Sequence, residues 1–300
     1  MRRTPFTMLL LAVCVSSPLV GQQAQQTPLF RDYFSTVVTV PPERLHFDPF
    51  YKKYCDALGI PVVSSEKAPD AALVVARDIV DYMLSRRVDL RDALIAQNWR
   101  IGVMARSEKT TDIPEHRHLK KPTFDEVTDI ERAHWDHISK LTDKEYWDIR
   151  ARGLGGNPTT CSEENLLGYP DSRYYGENIF VHEFSHAIFA AIRIADPKLA
   201  AEIDQAYRDA MALGLWKGSY GATNVDEYWA EATQFWFYSN FEYVDGNTHI
   251  NSPLDLLRYD PKIYQLLGRV YSDHEIPVDV YYGKQIKKTH KSGAELVSEE

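Results

Sequence analysis

Positive charge is in deficit. Lys and Arg total 34 against 43 Asp and Glu, a net charge of -9, and no long basic face is visible. Phosphate binding needs a clustered positive surface, so the composition argues against nucleic acid as the main partner and favours solubility. Long hydrophobic runs are also missing. The apolar stretch from Met8 to about Val20 is too short for a membrane span and is broken by Ser16, Ser17 and Pro18, and no later segment is long enough. There is no internal repeat. Cysteine is scarce, with three residues, Cys14, Cys55 and Cys161. If Cys14 is removed with the N-terminus, what remains allows one Cys55–Cys161 disulfide or two buried thiols, and sequence does not choose between them.

The N-terminus is informative. Arg2 and Arg3 precede the apolar stretch, and a Gln-rich segment follows Gly21. This reads as a signal peptide over residues 1–21, whose cleavage leaves a secreted or periplasmic protein with no stable membrane span. A permanent anchor and a lipoprotein joined through Cys14 are the rival readings; Val13 is bulky for the position before a lipidated cysteine.

With 44% hydrophobic and 12% aromatic residues, the chain can bury a substantial core as one large domain or two fused lobes. Residues 22–50 carry Pro28, Pro41, Pro42 and Pro49 and read as a linker or extended arm; residues 51–282 form the domain and 283–300 a charged, frayed tail. Leu73, Ala76, Ile79, Val80, Met83 and Leu84 recur at helical spacing from Asp70. A short helix over 90–97 and a strand within 99–106 follow, then a polar loop, partly helical sequence over 124–150 and a glycine loop over 152–160. Without a GK[ST] ending that loop is a turn, not a phosphate cradle. Helices are expected over 172–194, over 197–213 with Asp196 as N-cap and Pro197 at the first position, over 225–238, and from Pro261.

The stretch VHEFSHAIFA, residues 181–190, sets His182, Glu183 and His186 in an apolar run. On a helix the two histidines lie on one face, where both can reach one metal ion, and the spacing fits zinc. Glu183 lies about 100° around the helix from His182, beside such an ion, where it can take a proton from water. Three polar side chains in a core need partners, and a zinc ion with its water would supply one. The bland alternative is a buried helix whose histidines satisfy carbonyls or carboxylates.

An open zinc site takes a third protein ligand. In GSYGATNVDEYWAEATQFWF, Glu227 and Glu231 stand four apart on one face of an aromatic helix. Glu227 is assigned as the ligand and Glu231 as the acceptor that orients a liganding histidine. Asn224 followed by Glu227 also matches a capping box, and Asp226 is the nearest competitor, although it would not share a face with Glu231.

HEFSH followed by SYGATNVDEYWAEA resembles the catalytic domain of the anthrax-lethal-factor-like zinc metallopeptidases, in the gluzincin branch. That family pairs an HEFGH-type helix with a segment in which a tyrosine precedes the liganding glutamate by seven residues, as Tyr220 precedes Glu227 here. The resemblance spans residues 172–238. It implies an α+β, mainly helical zincin-like fold: a small sheet, an active-site helix and a helical lobe carrying the third ligand. It also implies one catalytic zinc held by His182, His186 and Glu227, Glu183 as general base and Tyr220 as donor to the oxyanion. Ser185 stands where the toxin has glycine, and the toxin's delivery domains have no counterpart, so its substrates do not carry over. The expected activity is hydrolysis of a peptide or protein substrate. Hydrolysis of another amide, such as a cell-wall peptide or glycopeptide, and a non-catalytic zinc-stabilised binding module are the alternatives. His134 with His137, and Glu115 to His118, are read as solvated surface. Tyr174 and Tyr175 are either substrate contacts or core.

Overall fold

The computed structural model describes residues 38–288 and 291–299. The apolar stretch read as a signal peptide, Cys14 and the first part of the arm lie outside them. Among the described residues the chain is α+β, with twelve helices and a small mixed sheet.

Strands β1 (Lys53–Ala57) and β2 (Ile60–Ser64) form an antiparallel hairpin. Its two turn residues, Leu58 and Gly59, have φ of 50° and 101°, which matches the strand twist in a two-residue loop. Helices α1 (Asp70–Met83) and α2 (Val88–Ala96) then cross to β3 (Ile101–Met104). Leu73, Ala76, Ile79, Val80 and Met83 of α1 are buried, as their spacing predicts. Ile95 of α2 closes on Gly59, and the φ of 101° there favours glycine.

Three short helices, α3 (Asp129–Ala133), α4 (Trp135–Ile138) and α5 (Asp143–Arg150), separate β3 from β4 (Thr159–Ser162). Thr128 and Thr142 open α3 and α5 through reciprocal capping boxes with Glu131 and Glu145. β2, β3 and β4 run parallel in the order β1-β2-β3-β4. β3 and β4 are buried along their whole length, the usual state of parallel strands covered on both faces.

After α6 (Glu163–Leu166) come α7 (Ile179–Ala195), α8 (Pro197–Ala212) and α9 (Val225–Trp236). A hairpin of β5 (Tyr243–Asp245) and β6 (Thr248–Ile250) leads to α10 (Pro253–Tyr259), α11 (Pro261–Leu267) and α12 (Gly293–Val297). α8 opens as expected, with the Asp196 carboxylate accepting from the Leu199 N–H. Buried Asp260 ties three parts of this half together: it accepts from Trp216 Nε1 at 3.0 Å, from the Tyr228 hydroxyl at 2.7 Å and from the Ile263 N–H at 3.2 Å.

Some expectations change. The helix expected over 172–194 begins only at Ile179, because Ser172 to Glu177 are spent on turns and Asn178 caps the helix by accepting from the Val181 N–H. Cys55 and Cys161 are both free and buried, so the disulfide alternative falls away. The tail expected to fray carries α12, whose Val297 is buried with Ile138 and Tyr146. At the other end Thr39 exchanges backbone hydrogen bonds with Tyr54, so the last part of the arm is fastened to β1. No helix among the described residues is long and apolar enough to cross a membrane.

Candidate metal centre

Helix α7 is buried because Phe180, Val181, Phe184, Ala187 and Ile188 pack on all sides of it. Trp229 of α9 locks the two helices together, stacking on Phe189 with centroids 5.8 Å apart and donating from Nε1 to the Ser185 carbonyl at 3.1 Å. This packing brings the first turn of α9 over the histidines.

His182 and His186 lie one turn apart with ring centroids 5.0 Å from each other. Glu227 Oε2 is 3.1 Å from His182 Nε2 and 3.5 Å from His186 Nε2. The Asn224 side chain accepts from the Glu227 N–H at 2.9 Å, so Asn224 caps α9 while the Glu227 carboxylate turns to the histidines. Asp226 is elsewhere, paired with Arg193 at 2.8 and 3.0 Å on the surface. The donor atoms of His182, His186 and Glu227 all lie within 4.8 Å of one another, the only such group among the described residues, and could hold a metal ion. His134 and His137 form no such group.

The hydrogen bonds test whether a cation fits. Gln234 Nε2 donates to the Asn178 carbonyl at 3.1 Å, which turns Gln234 Oε1 toward His182 Nδ1 at 3.0 Å. A carbonyl oxygen only accepts, so Nδ1 carries the proton and Nε2 presents its lone pair to Glu227. Two lone-pair donors facing each other at hydrogen-bond distance need a proton or a cation between them. Burial works against a charged imidazolium here, yet Glu227, Glu183 and Glu231 outweigh it and lift His182 to about 10. For Glu227 burial is again the largest influence and is overcome, by the two histidines, which hold its carboxyl far below the carboxylate range. The site is built for positive charge.

Gln234 is the residue sequence reasoning missed. The orienting role assigned to Glu231 falls to it, because Glu231 Oε1 stands 3.6 Å from His182 Nδ1 and Oε2 accepts instead from Asn240 Nδ2 at 3.0 Å. The only signal was its place seven residues after Glu227, on the same helix face. Replacing Gln234 by Leu is expected to weaken metal binding by about 10–100-fold, read by competition with a chromogenic chelator. An unchanged affinity would show that the amide only packs.

Glu183 lies beside the group, half-buried, with burial raising its carboxyl above the ordinary value and the Gly155 N–H donating to it. A methyl on Gly155 would sit 3.1 Å from His186 Cδ2 and 3.3 Å from Glu183 Oε2, so the glycine loop is pressed against both side chains. That loop is anchored by Arg152, which is buried and binds both Glu164 oxygens, Nε to Oε1 at 2.7 Å and Nη2 to Oε2 at 3.0 Å, together with the carbonyls of Ala105 and Glu108.

Tyr220 occupies a single 3-10 turn ahead of α9, its ring stacked on His182 at 6.2 Å and 45% exposed. Its hydroxyl end is shielded even though the residue is partly exposed, and this shielding and the nearby Glu227 carboxylate raise its phenol, so it stays a hydrogen-bond donor. Gly221 permits the approach, since a Cβ there would meet Trp216 at 3.1 Å and Glu231 at 3.4 Å. Glu177, also unforeseen, is pushed up to about 7 by burial and by Glu231. Tyr175 is half-buried and packs edge-on against Tyr281. Neither the models of known protein families nor the curated proteins contain a match to this chain.

Proposed function

We propose that the protein is a zinc metallopeptidase of the gluzincin type, with a zincin-like fold related to the anthrax-lethal-factor-like domain. One observation carries the reading: two imidazoles and a carboxylate converge on one point, with a second carboxylate and a phenol beside it that are not part of the donor set. His182, His186 and Glu227 would hold zinc, and Gln234 would fix the tautomer of His182. When bound, the ion supplies Lewis-acid polarisation of a carbonyl and makes water a nucleophile near neutral pH.

The chain's own groups do the rest. Glu183 takes the proton of the attacking water and passes it to the leaving amine; burial raises its carboxyl, which strengthens it as the base. Tyr220 donates to the carbonyl oxygen as negative charge gathers on it, an interaction strongest in the transition state. A purely structural site has no use for Glu183 in this position. The apolar stretch over residues 8–20 supports a secreted or periplasmic location.

The test is metal analysis with a fluorogenic peptide library. Purified protein is expected to carry about one zinc per chain, to cut a subset of peptides, to lose cleavage on chelation and to regain it with zinc. Zinc binding without any cleavage would overturn the peptidase reading.

A further inference from the structure

The N–H groups at the start of a helix find no partner within it. For α7 the partners trace back to the chain that follows α11. Val181 N–H is taken by Asn178 Oδ1 at 3.2 Å and Ile179 N–H by Asn165 Oδ1 at 3.0 Å. Both of those residues are in turn held by residues 279–281. Asn178 Nδ2 donates to Asp279 Oδ1 at 2.9 Å, and the Tyr281 hydroxyl donates to the Asn165 carbonyl at 2.9 Å. The Tyr281 N–H also donates to Asp279 Oδ1 at 2.9 Å, so the two holding residues are fastened to each other.

The two branches end differently. Asn165 Nδ2 donates to the backbone carbonyls of Tyr174 and Glu177, and that branch stops there. The other continues to the metal centre, because the Asn178 carbonyl accepts from Gln234 Nε2 at 3.1 Å and Gln234 Oε1 faces His182 Nδ1 at 3.0 Å. Asn178 is fully spent, since its own N–H donates to the Ser239 carbonyl at 3.0 Å.

Each link has its direction set by a group that can only accept. An asparagine amide fits either way round until its neighbours differ. Here the Val181 N–H demands the oxygen and the Asp279 carboxylate demands the NH2. Asp279 is buried, which lifts its carboxyl to about 6, so it is ionised at neutral pH and donates nothing. The Asn178 carbonyl likewise only accepts, which claims the NH2 of Gln234 and turns the amide oxygen onto the imidazole.

We propose that Asp279 is a positioning residue for the His182 ring, acting through Asn178 and Gln234; its effect on metal binding rests on the metallopeptidase reading. It touches no reacting atom. Without this carboxylate the buried Asn178 NH2 has no acceptor, the cap shifts to find one, and the carbonyl that orients Gln234 moves with it.

The experiment uses four variants of the full chain, each shown by thermal unfolding to be folded. Asp279→Leu removes the acceptor at similar size, whereas Asp279→Asn keeps an oxygen for Asn178 and Tyr281. Asn178→Ser retains a capping oxygen but cannot reach Asp279, and it carries the test if Asp279→Leu does not fold. Tyr281→Phe loosens the same segment on the branch that stops short of His182. Two quantities are read: solvent exchange of the His182 Nδ1 proton by NMR of histidine-labelled protein without metal, and zinc affinity by chelator competition. Asp279→Leu and Asn178→Ser are expected to speed exchange and to weaken zinc binding by about 10-fold. Asp279→Asn is expected to stay near wild type in both, and Tyr281→Phe to unfold at lower temperature with both unchanged. Exchange that neither Asp279→Leu nor Asn178→Ser alters overturns the proposal. So does an equal effect of Tyr281→Phe, which would mean general loosening, or an Asp279→Asn protein as fast as Asp279→Leu. Exchange that follows Asp279 in a protein that binds no zinc keeps the positioning role and overturns the metallopeptidase reading.

Discussion

Glu183→Gln protein is expected to keep about one zinc per chain while kcat/KM on its best peptide falls by on the order of 10²–10⁴. The substitution is nearly isosteric and leaves the donor atoms of His182, His186 and Glu227 untouched. The glutamine oxygen can still accept from the Gly155 N–H, so the loop has no reason to move. What disappears is the capacity to take a proton from water and return it to the amine. The acid limb of the pH profile is expected to vanish along with the rate. Loss of zinc together with activity would instead mean that Glu183 belongs to the donor set.

Arg152→Ala is expected to cost about 3–5 kcal/mol of stability, because it strands the buried Glu164 carboxylate and the carbonyls of Ala105 and Glu108. Arg152→Lys recovers only part of this, since an ammonium cannot make the two parallel bonds seen here. Acid should erase the difference. Burial alone would raise the Glu164 carboxyl, but the hydrogen bonds from Arg152 outweigh it and depress the pKa below the ordinary 4.5. A depressed folded-state value contributes stability above the unfolded value and loses it as pH falls through the folded one. Urea unfolding of wild type and variant should therefore show the full gap near neutrality and a narrowing gap below about pH 4. A gap that does not change with pH would assign the loss to packing alone.

The three residues that could hold a metal ion were legible because each is encoded twice. His182 and His186 are marked by helical spacing and by their apolar surroundings, and Glu227 by its spacing from Glu231 and by Asn224, which takes over the capping and frees the carboxylate. Gln234 was hidden: an amide on an aromatic helix says nothing until the ring nitrogen it faces is known. The cavity beside the glycine loop was hidden for a similar reason. Leu119, Trp147 and Leu154 come from three separate segments, and only folding places them around one space. The start of α7 was misread because the segment before it, with Gly176 at φ 121°, makes turns that a helical pattern runs straight through. Composition misled at the tail, where the many charges outvote Ala294 and Val297, the two residues whose burial decides its structure.

The packing of α12 on α5 has a consequence for the order of events during synthesis. Gly293 lies directly against the Arg150 carbonyl, and Val297 fills the small cluster with Ile138 and Tyr146, although well over a hundred residues separate the two segments. The β1–β2 hairpin and α1 can assemble while the ribosome is still at work, since they are neighbours in sequence. The helix that carries Trp147 cannot bury Tyr146 fully until residue 297 has left the exit tunnel. The packing of α12 on α5 is thus finished last, and a nascent chain stalled before that point would hold both histidines and Glu227 but leave Tyr146 uncovered.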